Sequence, residues 1–235
     1  MASQTDSFIN ESFRYVSSYL NDKKIYNFVE NEEIFEEETI LNVLDAGCGN
    51  GNNLYSLVEK YGCKGCGIEP SEDAINLLSD KFKNNDNIEF KAGSVHQIPY
   101  DTEFFDMAIS WSVLHWLGRN EYLQSIGELI RVTSKYLIIM DFVASKDYRT
   151  PYHHDDRFFT YKMDFEPLVL GSGIMEKVYE RRWWVNPNDE TGEMINISSP
   201  ALCPFLGNQI NYHARKMVVF RKNMEILPLH TSDNF

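Results

Sequence analysis

The amino-acid sequence predicts an α/β fold built on a doubly wound, mostly parallel sheet. Three observations carry this expectation. Short apolar, β-branched runs alternate with stretches of helical spacing between residues 40 and 142, joined by short connections. The first unit passes from an apolar run, Ile40 to Leu44, through Gly47, Gly49 and Gly51 into a helical pattern. Finally, Gly47, Glu69, Ser94, Ser110 and Asp141 stand at the carboxyl ends of successive runs, where open α/β sheets collect their ligands.

At 235 residues the chain reads as one domain with room for a substantial core. Its 43% hydrophobic content marks a globular protein. A net charge of −13 argues against a nucleic-acid partner, which needs a Lys/Arg surface, but leaves room for a small anionic ligand in a locally basic pocket. The start, Met1-Ala-Ser-Gln-Thr-Asp6, lacks a signal peptide's charged and apolar regions, and no apolar run reaches membrane-spanning length. No membrane insertion and a cytoplasmic location are therefore expected. Cys63 and Cys66 have zinc-ligand spacing, but no second pair follows, so they read as buried strand thiols and no metal is expected. Nothing in the sequence sets an oligomeric state.

Taken in order, Ile9, Phe13, Val16 and Leu20 predict an amphipathic lead-in helix, with a second over Lys24 to about Asn31. Glu36 to Glu38 reads as a solvated charge run. Tyr15 and Tyr26, on these helices, are conceivable ligand contacts or packing residues. The first strand then leads to Asp45 and the glycine loop. Glycine serves where backbone turns sharply or approaches a ligand. The loop departs from the dinucleotide fingerprint G-x-G-x-x-G, because Asn52 stands three residues after Gly49, and no G-K-[ST] follows. It signals a nucleotide-type cofactor other than NAD.

Leu54, Leu57, Val58 and Tyr61 make the apolar face of the next helix. The second strand, Cys63 to Glu69, ends in a carboxylate able to accept from both hydroxyls of a ribose. Pro70 follows, and Ser71 is a helix N-cap with Glu72 and Asp73 in the first turn. Ile88 to Gly93 and Phe104 to Ser110 are the third and fourth strands. A helix beginning at Asn120 turns Leu123, Ile126 and Ile130 inward, and Lys135 to Asp141 is the fifth strand. Residues 147–164 are dense in polar and aromatic side chains with little periodicity. Phe165 to Gly173 predicts a short helix closed by glycine, Ile174 to Val185 a strand, Asn186 to about Asn211 a long loop, and His213 to Arg221 a final strand.

The pattern Asp45-x-Gly47-x-Gly49-x-Gly51 after the first strand resembles the motif of class I S-adenosylmethionine (SAM)-dependent methyltransferases. So does Phe105-Asp-x-Ala-Ile-Ser110, followed by Leu114-His-Trp-Leu117. The motif resemblance spans about residues 40–142, and the order of elements extends it to nearly the whole chain. It implies a Rossmann-like seven-stranded sheet with helices on both faces and an antiparallel last strand. It further implies helical cover over 1–39, a SAM-binding core over 40–142, a substrate lid over 143–173, and terminal strands and loop over 174–235. The cofactor is then SAM, leaving S-adenosylhomocysteine (SAH). Its implied contacts are Asp45, Gly47, Gly49, Gly51, Glu69 (ribose), Pro70, Ser94 and the Val95 N–H (adenine), and Ser110. Ser94 departs from the family, where an acidic residue is usual, and so weakens that contact.

Methyl transfer is an in-line displacement dominated by positioning, and a hydroxyl acceptor must also lose a proton. His115 is the first candidate base, by its place after the fourth strand and its ordinary pKa near neutrality. A structural histidine between Trp111 and Trp116 is the alternative. Tyr161 is a second candidate base. Trp111, Arg149, His153, His154 and Lys162 are the expected contacts to a small-molecule acceptor, with Lys162 as a point charge and Arg149 or Arg157 as forks for phosphate or carboxylate. Residues 145–185 nevertheless contain seven Lys/Arg and seven Asp/Glu, so surface pairing competes with that reading. Tyr161-Lys162-x-Asp164 is similar to a pattern in methyltransferases of bacterial surface-polysaccharide pathways. That likeness implies O-methylation of a sugar, nucleotide-sugar or phosphorylated metabolite. Nitrogen or carbon acceptors, and a non-catalytic SAM-binding protein, stay open.

Overall fold

The computed structural model describes residues 39–143, 147–152, 155–185, 194–196 and 214–224. The lead-in helices with Tyr15 and Tyr26, the pair His153–His154, and Cys203 lie outside these residues.

Strands β1 (Asn42–Ala46), β2 (Lys64–Glu69), β3 (Ile88–Ala92), β4 (Phe105–Trp111) and β5 (Thr133–Val143) run parallel in the order 3-2-1-4-5. Beyond β5 lies β10 (Ala214–Lys222), antiparallel to it. Beyond that lies β8 (Met175–Val185), antiparallel to β10 and hence parallel to β5. The seven-stranded sheet with one reversed strand is thus as expected. An eighth strand, β9 (Met194–Asn196), pairs with the outer edge of β8, inside the stretch read as a loop. Three residues carry too little pattern to announce a strand. The open ladder of β8 supplies the partner that local sequence does not show.

Helices α1 (Asn52–Tyr61) and α2 (Glu72–Lys81) cover one face of the sheet, and α3 (Arg119–Val132) and α4 (Glu166–Leu170) the other. Leu54, Leu57 and Val58 pack on Met107, Ile109 and Met140, while Ile126 and Leu129 pack on Leu44, Ala108 and Ile139. Ser71 caps α2 by accepting from the Ala74 N–H at 3.3 Å. On α3 the inward face is Tyr122, Ile126, Leu129 and Ile130, whereas Leu123 is 61% exposed. The inward reading of Leu123 is therefore corrected. Helical phase set by Ile126 and Ile130 selects the residue four before Ile126, which is Tyr122.

Residues 147–164 also differ from the aperiodic reading. Strands β6 (Tyr148–Tyr152) and β7 (Asp155–Lys162) form an antiparallel hairpin with a register shift at Pro151 and Tyr152. Proline interrupts the alternation and confines this pair to an independent two-stranded ribbon, which hides it from period counting. Trp116 anchors the hairpin through Tyr152, their ring centroids 4.8 Å apart, so it sits over the turn that follows β4.

Candidate active site

Strand order reverses between β1 and β4, and the loops leaving these two strands open a crevice at their carboxyl ends. The β1 loop is a backbone cradle. Gly47 and Cys48 both donate to the Ile68 carbonyl, at 2.9 and 3.0 Å, tying the loop to β2. Gly47 has φ +80°, and a Cβ there would lie 2.5 Å from Val113 Cγ2 on the β4 loop. Gly51 has φ +76°, and a Cβ would meet Phe82 at 2.8 Å and Phe90 at 3.0 Å. The third glycine is thus required by close packing of the loop on α2 and β3. Lys81 closes the outer side by donating to the Asn50 carbonyl at 2.9 Å and Asn52 Oδ1 at 2.8 Å.

Two carboxylates are buried beside this cradle. Asp45 is 1% exposed, and neither of its oxygens has a hydrogen-bond partner. Burial, then the nearby Glu69 charge, pushes its carboxyl up to about 8. Glu69 accepts from the Gly49 N–H at 3.0 Å, and burial raises it to about 7 despite that bond. Ser110, 1% exposed at the end of β4, has an unpartnered hydroxyl. Buried polar atoms without partners call for an explanation, and a ligand in the adjoining crevice would supply one. The set offers two acids for hydroxyl and cationic groups, and a glycine cradle that admits close backbone approach. Pro70 follows Glu69 into the turn. After β3, the Ser94 Oγ and His96 Nδ1 lie 2.6 Å apart, and Val95 is buried in the adjoining core.

The β4 turn carries the second half of the site. Ser112 holds φ +59°, uncommon for a non-glycine residue, and its N–H donates to the Met140 carbonyl at 2.8 Å. One turn of 3-10 helix, Leu114–Trp116, then buries His115 at 7% exposure. Its Nδ1 lies 2.8 Å from Asp141 Oδ1 on β5, and its N–H donates to Oδ2 at 3.2 Å. The Phe142 N–H also donates to Oδ1, at 2.7 Å. A carboxylate so supplied is an acceptor, so Nδ1 carries the imidazole proton and Nε2 keeps its lone pair. Burial holds the imidazole below its ordinary pKa, while the Asp141 charge and hydrogen bond work the other way and Lys162 and Arg215 add to the lowering. His115 is therefore a neutral imidazole at physiological pH, oriented by a carboxylate. Its ring neighbours are Trp116 at 5.2 Å and Phe142 at 4.7 Å, edge-on. Phe142 thus occupies the place expected for Trp111, which packs against the opposite core cluster of Met107, Ile109 and Met140.

Lys162, 2% exposed on β7, reaches the same spot: its Nζ lies 4.5 Å from the Phe142 ring centroid. Tyr161 and Arg149 do not share this location. Tyr161, the neighbour of Lys162 on the strand, packs against the core cluster of Leu114 and Phe165, and Arg149 is exposed over the Phe159 ring at 4.6 Å. Arg215 and Lys216, on β10, are polar residues whose places only the tertiary structure reveals. Arg215 lies 4.7 Å from the Phe142 centroid, and Lys216 is ion-paired to Asp164 at 2.8 Å and Glu166 at 2.6 Å. The alternation of Lys216 with the buried Val218 and Phe220 was the available signal.

Residues 43–135 match the family model described as "Methyltransferase domain". Over 91 residues the chain is 38% identical to tRNA (carboxymethyluridine(34)-5-O)-methyltransferase from Arabidopsis thaliana, an alignment covering 38% of this chain and 20% of that protein. The chain thus spans only a fifth of the length of that relative. Ubiquinone biosynthesis O-methyltransferase from Agrobacterium fabrum is 22% identical over 206 residues, which cover 78% of this chain and 82% of that one. Among solved structures, the Burkholderia thailandensis 1,6-didemethyltoxoflavin-N1-methyltransferase, with its substrate and SAH bound, superimposes with a TM-score of 0.59. That superposition covers 95% of this chain and 92% of the other at 15% identity, and shows the shared fold.

Proposed function

We propose that this chain, whose residues 43–135 match the methyltransferase-domain family model, is a class I SAM-dependent methyltransferase that methylates an oxygen of a small hydroxylated acceptor. The single observation that carries the choice of oxygen is the buried His115–Asp141 pair, Nδ1 to Oδ1 at 2.8 Å. An amine acceptor needs only its neutral form, whereas a hydroxyl needs a base, worth about 10²–10⁴-fold. The residues present fit SAM: Glu69 would accept from the ribose hydroxyls, Asp45 and Ser110 bring unpartnered oxygens to the same crevice, and Gly47 and Gly49 would admit the ligand to the backbone. SAM, when bound, supplies an electrophilic methyl group on a sulfonium. His115 Nε2 accepts the proton of the acceptor hydroxyl, and Asp141 steadies the imidazolium through Nδ1–H. The hairpin β6–β7 covers this proton transfer and keeps water from competing.

The acceptor class we favour is a sugar, nucleotide-sugar or phosphorylated metabolite of a surface-glycan pathway, supported by the Tyr161-Lys162-x-Asp164 similarity. The acidic charge of the chain speaks against an RNA acceptor, although its relatives include a tRNA methyltransferase and ribosomal RNA methyltransferases. Methylation at nitrogen is the second reading, favoured by the fold shared with an N1-methyltransferase. Among the described residues no helix is long and apolar enough to cross a membrane, and we place the enzyme in the cytoplasm. Isothermal titration with SAM, SAH and NADH tests the donor: SAM and SAH bind and NADH does not. Binding of NADH alone would sink the proposal. His115→Gln should keep SAH affinity and lose SAH-releasing turnover, and full turnover in that variant turns the choice to nitrogen.

A further inference from the structure

Three lysines are almost fully buried in the described residues, and they are not treated alike. Lys216, 1% exposed, has the carboxylates of Asp164 and Glu166 on its ammonium. Lys222 has Glu103 at 3.0 Å and the carbonyls of Ile130 and Thr133. Lys162, 2% exposed, donates only to the neutral Thr160 Oγ1, at 2.9 Å, and no carboxylate among the described residues lies within ion-pair distance of it. An ammonium has three donors and loses several kcal/mol of hydration when buried, so an unpaired one at this depth is costly. Asp141, the carboxylate acting on it from nearby, already accepts from His115 Nδ1, His115 N and Phe142 N.

A second positive charge stands at the same ring. Lys162 Nζ and Arg215 Cζ lie 4.5 and 4.7 Å from the Phe142 centroid, and the His115 ring meets that ring edge-on at 4.7 Å. Two cations and a neutral imidazole thus surround one aromatic side chain.

From this we infer that the acceptor carries an anionic group, a carboxylate or a phosphate, received by Lys162 next to the His115 base, with Arg215 as the supporting charge. The inference rests on the methyltransferase reading and narrows its acceptor. Burial pulls the Lys162 ammonium down to about 8, so it is still mostly charged at neutral pH and regains its ordinary range once an anion pairs with it. The anion anchors the far end of a small molecule while His115 meets its hydroxyl, an arrangement suited to a hydroxy acid or a sugar phosphate. Arg149, one of the two forks expected for the anion, is exposed on Phe159 and stands apart from this group.

The test uses the full chain saturated with SAH, titrated with inorganic phosphate or with acetate against chloride at matched ionic strength, following melting temperature and tryptophan fluorescence. At least one anion should raise the melting temperature saturably, and which one does so separates a phosphate acceptor from a carboxylate acceptor. Lys162→Met should bind SAH as the parent does and lose about tenfold or more in anion affinity. Should that variant melt without cooperativity, Lys162→Arg and Lys162→Gln replace it, arginine keeping the response and glutamine losing it. Absence of any response in the SAH-bound parent, or an equal response in the variants, overturns the inference alone. Failure of the parent to bind SAH removes the methyltransferase reading and this inference with it.

Discussion

Replacing Glu69 with glutamine should raise stability and lower cofactor affinity together. Glu69 is 5% exposed, and burial lifts its carboxyl from 4.5 to about 7. Because the folded form holds its proton more tightly than the unfolded chain, its contribution is fully present below about pH 4.5. It is lost as pH rises through about 7, where the buried group must ionise. A shift of that size corresponds to about 3 kcal/mol. Glutamine keeps the shape and still accepts from the Gly49 N–H, and it also removes the charge that raises Asp45. Its own buried amide offsets part of the gain, so ligand-free Glu69→Gln should be more stable at pH 8 by on the order of 1–3 kcal/mol. Affinity moves the other way. A ribose diol bound by a carboxylate loses a charge-assisted hydrogen bond of about 1–3 kcal/mol, or about 5- to 150-fold in the SAH dissociation constant. Both differences should shrink at about pH 5.5, where Glu69 is already protonated. Chemical denaturation and isothermal titration at the two pH values measure them. Equal affinity at pH 8, or pH-independent differences, would refute the placement of Glu69 at the ribose.

Gly47→Ala should weaken SAH binding and cost about 1–3 kcal/mol of stability, since its Cβ would lie 2.5 Å from Val113 Cγ2 at φ +80°. Adding Val113→Ala should recover the steric part of that loss but not the backbone part, as read by thermal melting. Asp141→Asn should lower kcat by about 10²–10⁴-fold with SAH affinity intact, because an amide no longer enforces the Nδ1–H tautomer of His115. In the parent enzyme the acid limb of kcat/KM should fall below the ordinary imidazole range, because burial lowers His115, and a limb above that range would remove His115 as the base. Lys216→Met should cost about 1–3 kcal/mol in urea denaturation, since it leaves Asp164 and Glu166 without their shared cation while Asp164 stays 40% exposed to water. An unchanged midpoint would show that this ion pair does not hold the segment after β7 to β10.

Legibility in the sequence followed the range of the interactions involved. Strands β1 to β5 and helices α1 to α3 announce themselves because each buries a face whose period, two or 3.6, is written within ten or so residues. The donor half of the site was equally visible, since its glycines and strand-end acids sit at fixed offsets from those elements. Leu123 was misjudged because two apolar phases overlap on α3 and only packing selects one. Hairpin β6–β7 and strand β9 were missed because a proline and a three-residue length erase the period. Trp111 was expected at His115, but its side chain packs against Met107, Ile109 and Met140, and Phe142 from β5 meets the imidazole instead.

The sequence by itself determined a doubly wound sheet, a glycine cradle after Asp45, a carboxylate at Glu69 and a histidine after β4. All of these are local, set by backbone conformation and side-chain alternation. Tertiary structure alone decided the partners across the sheet. Asp141 orients a histidine 26 residues earlier, Lys162 is buried with no carboxylate among the described residues in ion-pair reach, and Arg215 arrives from the reversed strand β10 to share the Phe142 ring. Such pairings depend on which strand ends are neighbours in space, and that follows from crossover topology and sheet register, which are not written in the residues on either side.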